Sequence, residues 1–323
     1  MPSVPGYVHT PGHHCGSTAL RNLLGFHGIA ISEEMAFGLG AGACFYYLAY
    51  EEMSPSRFFN GRTARLEESF RELTGAALEL RTFAPEDESA WTAAAAEVDA
   101  GRPVLLLTDI YYLDHYGSSA HFPGHAVVLA GYDEEVAYLS DTGFEELQTT
   151  RLEHLARARH SGHPPYPLEG QMFTVTEAGD PAALEAAIPA AIERAAGEML
   201  EPAWGEFAGL PALERLAAEA GAWPEAAADW QWCARFAYQV IERRGTGGGC
   251  FRPMYSRFLA EAGRPEAPLA AAAGERWTEL AEAFKAASES DEPEPALWRR
   301  VDAGAGAVLE AERRLWAALA ERV

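Results

Sequence analysis

All ten histidines of this 323-residue chain lie within its first 163 positions, and seven of its eight tryptophans lie beyond position 200. One pattern of burial cannot serve both halves, so the sequence predicts two domains, 1–179 and 180–323, each long enough for its own core. Beyond about 180 the chain is rich in Ala, Glu, Arg and Leu. Apolar spacing there predicts helices near 182–199, 211–220, 226–243, 253–263, 269–287 and 297–321, a bundle with no obvious chemistry of its own. Before 180, short helices alternate with short strands. Pro103–Thr108 and Gly124–Tyr132 are continuous apolar runs of buried-strand length, and the turn Asp133-Glu134-Glu135 returns the second run antiparallel through Val136–Leu139. The fold class is α+β, with an antiparallel sheet in the first domain and an all-α second domain.

Charge narrows the partners. The formal net charge is −23, with 24 acidic and 10 basic residues over 1–179 and 24 and 15 over the remainder. Acidity spread in this way argues against nucleic acid, which needs a basic surface. No run of about 18 apolar residues predicts a membrane span, and Met1–Gly6 lacks the basic stretch and apolar core of a signal peptide. The four cysteines, at 15, 44, 233 and 250, form no Cys-x-x-Cys pair. A reducing cytoplasm, unpaired thiols and no zinc knuckle are expected.

The chemistry concentrates in three places. Cys15 follows a Pro11-Gly12 turn signal and opens the helical run Gly16–Leu24. At a helix start the exposed N–H groups and the helix dipole stabilise a thiolate, although most unpaired cysteines are simply small buried side chains. His125 opens the strand after Gly124, and Asp141 ends the neighbouring strand, about equally far from the turn between them. A thiol that attacks an acyl group needs a base, and the base needs an orienting acceptor. Cys15, His125 and Asp141 supply that set; if Asp141 is only a turn residue, Asp109 and Asp114 are next in line. His121 and His125 stand at i and i+4, but Pro123 forbids the helix that would align them on a metal, and His13-His14-Cys15 has no complementary ligands. No metal or other cofactor is expected.

Two glycine-rich segments carry competing readings. Gly38–Tyr47 sets three glycines beside aromatic residues without the context of a dinucleotide fingerprint. It reads as close packing, or as a cleft lined by Phe45 and Tyr46. The aromatic loop Tyr111–Pro123 offers Tyr111, Tyr112 and His121 as further substrate-binding candidates. Gly245–Gly249 with Arg252 reads as a tight inter-helical loop packed against the first domain, or as a phosphate cradle that lacks a following Gly-Lys-Ser/Thr.

A helix-opening Cys, a Gly-His-Ala-Val-Val strand and a following strand ending in Asp resemble the papain-like fold, in particular its bacterial Cys-His-Asp branch. "HHCGSTALRNLL", "FGLGAGACFYYL" and "GHAVVLAGYD…LSDTGF" resemble more closely the N-terminal domain of the butirosin biosynthesis protein H family. "IERRGTGGGCFRPMYSRFLAEA" resembles the helical domain of unknown function often joined to it. The resemblance implies acyl transfer from an acyl-carrier-protein or other thioester donor to a small-molecule amine acceptor, with Cys15 acylated, His125 as general base and acid, and Asp141 holding the imidazole. Papain-like enzymes commonly place a Gln oxyanion donor six residues before the cysteine; that position is His9 here, so His9 and the pair His13–His14 become oxyanion candidates beside the Cys15 backbone N–H. The alternatives are a cysteine hydrolase (peptidase or amidase) with the same three residues, and a catalytically silent binding protein on this scaffold.

Overall fold

In the computed structural model, residues 3–75, 78–85, 87, 89–164, 166–175 and 181–321 are described. The expected domain boundary at 179/180, the end of a strand at Thr176 and the start of a helix at Glu86 lie outside them. In chain order come α1 (Cys15–Phe26), α2 (Glu33–Leu39), β1 (Ala43–Ala49), β2 (Arg57–Arg62), α3 (Leu66–Thr74), β3 (Leu78–Arg81) and α4 (Ser89–Asp99). Next are β4 (Val104–Asp109), β5 (Pro123–Tyr132), β6 (Val136–Ser140), β7 (Gln148–Arg151), α5 (Leu152–Arg159) and β8 (Met172–Val175). The rest is helical: α6 (Pro181–Leu200), α7 (Gly209–Glu219), α8 (Trp223–Ala226), α9 (Trp230–Glu242), α10 (Arg252–Glu261), α11 (Ala267–Ser288) and α12 (Pro295–Ala320). The architecture is α+β, and no helix among the described residues is long and apolar enough to cross a membrane.

The chain divides into two units, one of residues 1–36 and 64–184, the other of 37–63 and 185–323. The first unit is built on a six-stranded sheet of order β3-β8-β4-β5-β6-β7, antiparallel throughout. Val104 and Leu106 of β4, Val127 and Leu129 of β5, and Ala137 and Leu139 of β6 bury one face with Ala90 and Ala94 of α4 and Leu155 and Ala158 of α5. The alternate residues Leu105, Leu107, Ala126 and Val128 are buried as well, and α1 packs against β5. With both faces covered, β4 and β5 read as continuous apolar runs rather than as alternation. A register shift between Leu129 and Gly131 interrupts the β5–β6 ladder. The N-terminal segment fills it, Val4 donating its N–H to Ala130 O at 2.6 Å. β7 and α5 carry no clear periodicity in the sequence and are additions that the structure supplies.

The second unit is a helical bundle that encloses the antiparallel hairpin β1–β2. The glycine and aromatic segment around 38–47, which the sequence-based division placed within 1–179, groups with this unit. Phe45 is 1% exposed and packs on Phe59 at 5.7 Å and Trp277 at 5.6 Å. It is a core residue of the bundle and lines no cleft. Tyr46, half-buried, lies against Phe58 at 5.9 Å. Gly38 must be glycine because a Cβ there would collide with the Phe258 ring. The hairpin is pinned by Arg252, wholly buried, whose guanidinium donates to Gly61 O at 2.8 Å and Cys44 O at 3.1 Å and pairs with Glu312 at 2.7 Å. Trp277 and Trp316 each donate an indole N–H to Glu312 at 2.6 Å. Every lone pair of the buried carboxylate that matters is matched, as a buried charge requires.

Candidate active site

Four local devices set Cys15 at the start of α1. His14 is the N-cap, its Nδ1 accepting the Ser17 N–H at 3.2 Å. Glu33, at the start of α2 and 6% exposed, accepts the backbone N–H groups of His13 at 2.9 Å and His14 at 2.7 Å. A buried carboxylate thus holds the loop immediately before the cysteine through charge-assisted bonds. Gly12 donates to Thr142 O at 3.1 Å, which fastens that loop beside the residue after Asp141. Gly16 lets α1 approach α3 closely, since a Cβ there would meet the ends of the Glu67 and Leu66 side chains. No acidic residue belongs to the first turn of α1 itself, and the carboxylates beside it come from Glu33 of α2 and Glu67 of α3.

His125 follows Gly124, whose φ of +85° bends the start of β5, and its carbonyl accepts the Thr108 hydroxyl at 2.9 Å. Its Nε2 lies 2.9 Å from Asp141 Oδ1, with Asp141 wholly buried. Cys15 acts on the same imidazole and favours its charged form; with Nε2 facing Asp141, Nδ1 is the ring nitrogen turned away from the carboxylate. Burial opposes a charged imidazole here, but the Asp141 carboxylate, its hydrogen bond and Cys15 outweigh it and push the His125 pKa up to about 10. Asp141 shows the reverse balance. Burial would raise its carboxyl, yet His125 and His115 hold it well below the usual carboxylate range. The buried carboxylate thus favours an imidazolium over a neutral ring at His125.

Two neighbours of this group carry no signal in the local sequence. Tyr116 places its hydroxyl 3.2 Å from Asp141 Oδ1 and 3.4 Å from His125 Nε2. His115 sets Nε2 2.8 Å from Asp141 Oδ2. A polar aromatic loop before a His-bearing strand was the only sequence hint of either. Asp114 and Asp109 face elsewhere. Asp114 accepts from Arg151 at 2.9 Å and pairs with His154 at 2.9 Å. Asp109 takes His121 Nδ1 at 2.7 Å and the Ser161 hydroxyl at 2.7 Å.

The remaining candidates separate. His9 is committed at both nitrogens, Nδ1 to Ser140 Oγ at 2.7 Å and Nε2 to Phe144 O at 2.8 Å. No ring N–H is left for an oxyanion, and the residue instead ties the N-terminal segment to the end of β6. His14 uses Nδ1 as a helix cap. His121 stacks between Tyr111 and His163, each at 4.0 Å, and Tyr112 meets His121 edge-on at 5.8 Å. These rings form one aromatic platform, with Tyr111 41% exposed. Among the described residues no group of three or more His, Cys, Asp or Glu is arranged to hold a metal ion. A shallow cavity of about 530 Å³ beside the Cys15 loop is lined by Pro11, Gly12, His13, Arg21 and Ser32–Glu34, and by none of Cys15, His125 or Asp141.

Comparison with known proteins gives two adjoining matches. A family model described as butirosin biosynthesis protein H, N-terminal, matches residues 14–142, which contain Cys15, His125 and Asp141. A second, described as a domain of unknown function (DUF4872), matches residues 153–319. No curated protein gives a significant match to the chain. The chain belongs to the family in which a butirosin biosynthesis protein H N-terminal domain is followed by this domain of unknown function.

Proposed function

We propose that the chain is a cysteine-dependent acyltransferase of specialised-metabolite (antibiotic) biosynthesis, moving an acyl or aminoacyl group from a thioester to an amine through a Cys15 acyl-enzyme. The observation that supports the reading is the 2.9 Å contact of His125 Nε2 with the buried Asp141 carboxylate, beside an imidazole whose charged form Cys15 at the start of α1 also favours. Membership of a family named for a butirosin biosynthesis protein supports the metabolic setting. The donor is a carrier-protein or other acyl thioester, and the acceptor a small-molecule amine.

The transfer runs in two halves. The Cys15 thiolate adds to the thioester carbonyl, and the first-turn N–H groups of α1 take the developing oxyanion. Collapse of the tetrahedral intermediate breaks the donor C–S bond, and the His125 imidazolium gives its proton to the departing thiolate. Neutral His125 then accepts a proton from the attacking amine, the amide forms, and the Cys15 thiolate leaves to restore the ion pair. Asp141 keeps the imidazole facing the sulfur in both halves. A reducing cytoplasm suits a nucleophile of this kind, and none of the four cysteines is in a disulfide.

The test is intact mass after incubation with an acyl thioester, with and without amines. The expected result is acyl added on Cys15, discharged by amine much faster than by water. Discharge at the same rate in both cases makes the protein a hydrolase, and no adduct at all removes the thioester chemistry.

A further inference from the structure

Asp141 has two carboxylate oxygens, and the Cys15–His125–Asp141 reading uses one. The other, Oδ2, accepts from His115 Nε2 at 2.8 Å, and the His115 side chain is 6% exposed. The opposite ring nitrogen, Nδ1, lies 3.1 Å from Thr150 Oγ1 on β7. That hydroxyl already accepts the Asp114 backbone N–H at 3.2 Å, and Thr150 is wholly buried. A hydroxyl has one proton to give. The Asp141 carboxylate can only accept, so the N–H of the neutral ring sits on Nε2 and points at it, and Nδ1 accepts the proton of the Thr150 hydroxyl, whose oxygen also takes the Asp114 N–H. Phe144, edge-on at 5.1 Å, fixes the ring plane.

We propose that His115 is a positioning residue for the Cys15–His125 pair: held as its Nε2–H tautomer by Thr150, it anchors Asp141 Oδ2 so that Oδ1 stays on His125. The inference rests on the reading of Cys15 as a nucleophile, not on the identity of donor or acceptor. Outer partners of this kind are how a site fixes the tautomer and orientation of the groups that react. Without His115, a wholly buried carboxylate oxygen loses its donor, and the group gains by turning toward another. Tyr116 is the donor within reach, 3.2 Å from Oδ1. Turning in that direction loosens the grip on His125. The titratable groups that face Asp141 are His115, His125 and Tyr116, with Cys15 beyond His125.

The experiment is the pH dependence of Cys15 alkylation by iodoacetamide in the full chain, read by intact mass, for the unmodified protein and for His115→Ala, His115→Gln and Thr150→Val. Alkylation needs neither thioester nor amine, so an inactive transferase assay beside intact alkylation profiles counts against the proposed function alone. His115→Ala should raise the pH at which Cys15 becomes reactive by about one, slowing alkylation below that limb about tenfold. Gln places an amide N–H near the position of Nε2, so His115→Gln should recover most of the rate. Thr150→Val removes the hydroxyl at nearly constant volume and should fall between the two. Coincident limbs for all four proteins overturn the proposal. So does a His115→Gln limb displaced as far as that of His115→Ala, because the ring rather than the donor then matters. If circular dichroism shows His115→Ala unfolded, Thr150→Val decides: a displaced limb supports the role, and an unmoved one ends it.

Discussion

Replacing Asp141 with Asn keeps the volume and removes both a charge and one acceptor. The carboxylate now accepts N–H groups on both sides, from His125 on Oδ1 at 2.9 Å and from His115 on Oδ2 at 2.8 Å. An amide offers one oxygen and one NH₂, so one histidine must face a donor. His115 has its tautomer fixed by Thr150 and keeps the oxygen. The amide NH₂ then faces His125 Nε2, and the proton of the neutral ring moves to Nδ1, the nitrogen on the Cys15 side. That tautomer cannot accept the thiol proton there. The negative charge that pushes the His125 pKa up to about 10 is lost as well. Each step of one in that pKa changes the imidazolium equilibrium tenfold, and the ordinary value is 6.5. Neutral-pH alkylation and single-turnover acylation should therefore both fall about 10–10³-fold. This is less than the ~10⁴ seen for the equivalent change in serine proteases, since the helix start stabilises the thiolate independently. Adding Thr150→Val should return part of the loss by releasing the His115 tautomer. An Asp141→Asn protein with the unmodified rate and pH limb would refute the argument.

Three further outcomes are expected. Iodoacetamide at neutral pH should label Cys15 well before the others, because burial pushes Cys44 and Cys250 up to about 12 and raises Cys233; fast label persisting at Cys233 in Cys15→Ala would contradict this. The His125–Asp141 pair should also shape stability against pH. His125, with its folded pKa raised, contributes fully below about 6.5 and loses that contribution toward about 10, while Asp141, with its value depressed, contributes above about 3.8 and loses it as pH falls further. The melting temperature of the unmodified protein should exceed that of Asp141→Asn most between those limits, and a gap that widens toward pH 10 has the wrong sign. Finally, Glu312→Gln leaves Arg252 buried without its counter-charge, which should cost the helical unit about 3–5 kcal/mol; a chemical melt unchanged by the substitution would show that the pair is replaceable.

What the sequence makes legible is whatever its local pattern determines. A turn signal before an apolar helical run places Cys15 at a helix start, and two strands about one short turn bring His125 and Asp141 level. The long helices beyond 180 follow from their spacing alone, because packing only reinforces a period already written in each segment. His115 is not legible in this way. Its partners are Asp141, 26 residues away, and Thr150, 35 residues away, and Thr150 lies on a short polar strand that shows no alternation. The misreading of His9 has a similar source. A position six residues before the cysteine suggests an oxyanion donor, but only the fold reveals that Ser140 and Phe144 take both nitrogens.

The hairpin and the glycine run show the same limit from the side of packing. "ACFYYLA" reads as close packing, with a cleft wall as the alternative, and the choice falls to Trp277 and Phe59, which no local rule brings together with Phe45. Gly245–Gly249 has the composition of an anion cradle, yet its donors turn inward. The Gly248 N–H goes to the Thr246 hydroxyl at 2.9 Å and the Gly249 N–H to Glu242 Oε1 at 3.2 Å. A carboxylate already sits where a phosphate would bind. Left-handed φ values at Gly245, Gly247, Gly248 and Gly249 continue through Cys250 and Phe251, a strained path for non-glycine residues. That path delivers Arg252 to Glu312, Gly61 and Cys44. The glycines exist for the route of the backbone, and the cation at its end is bound to the protein's own carboxylate and carbonyls, leaving it no charge to offer a phosphate.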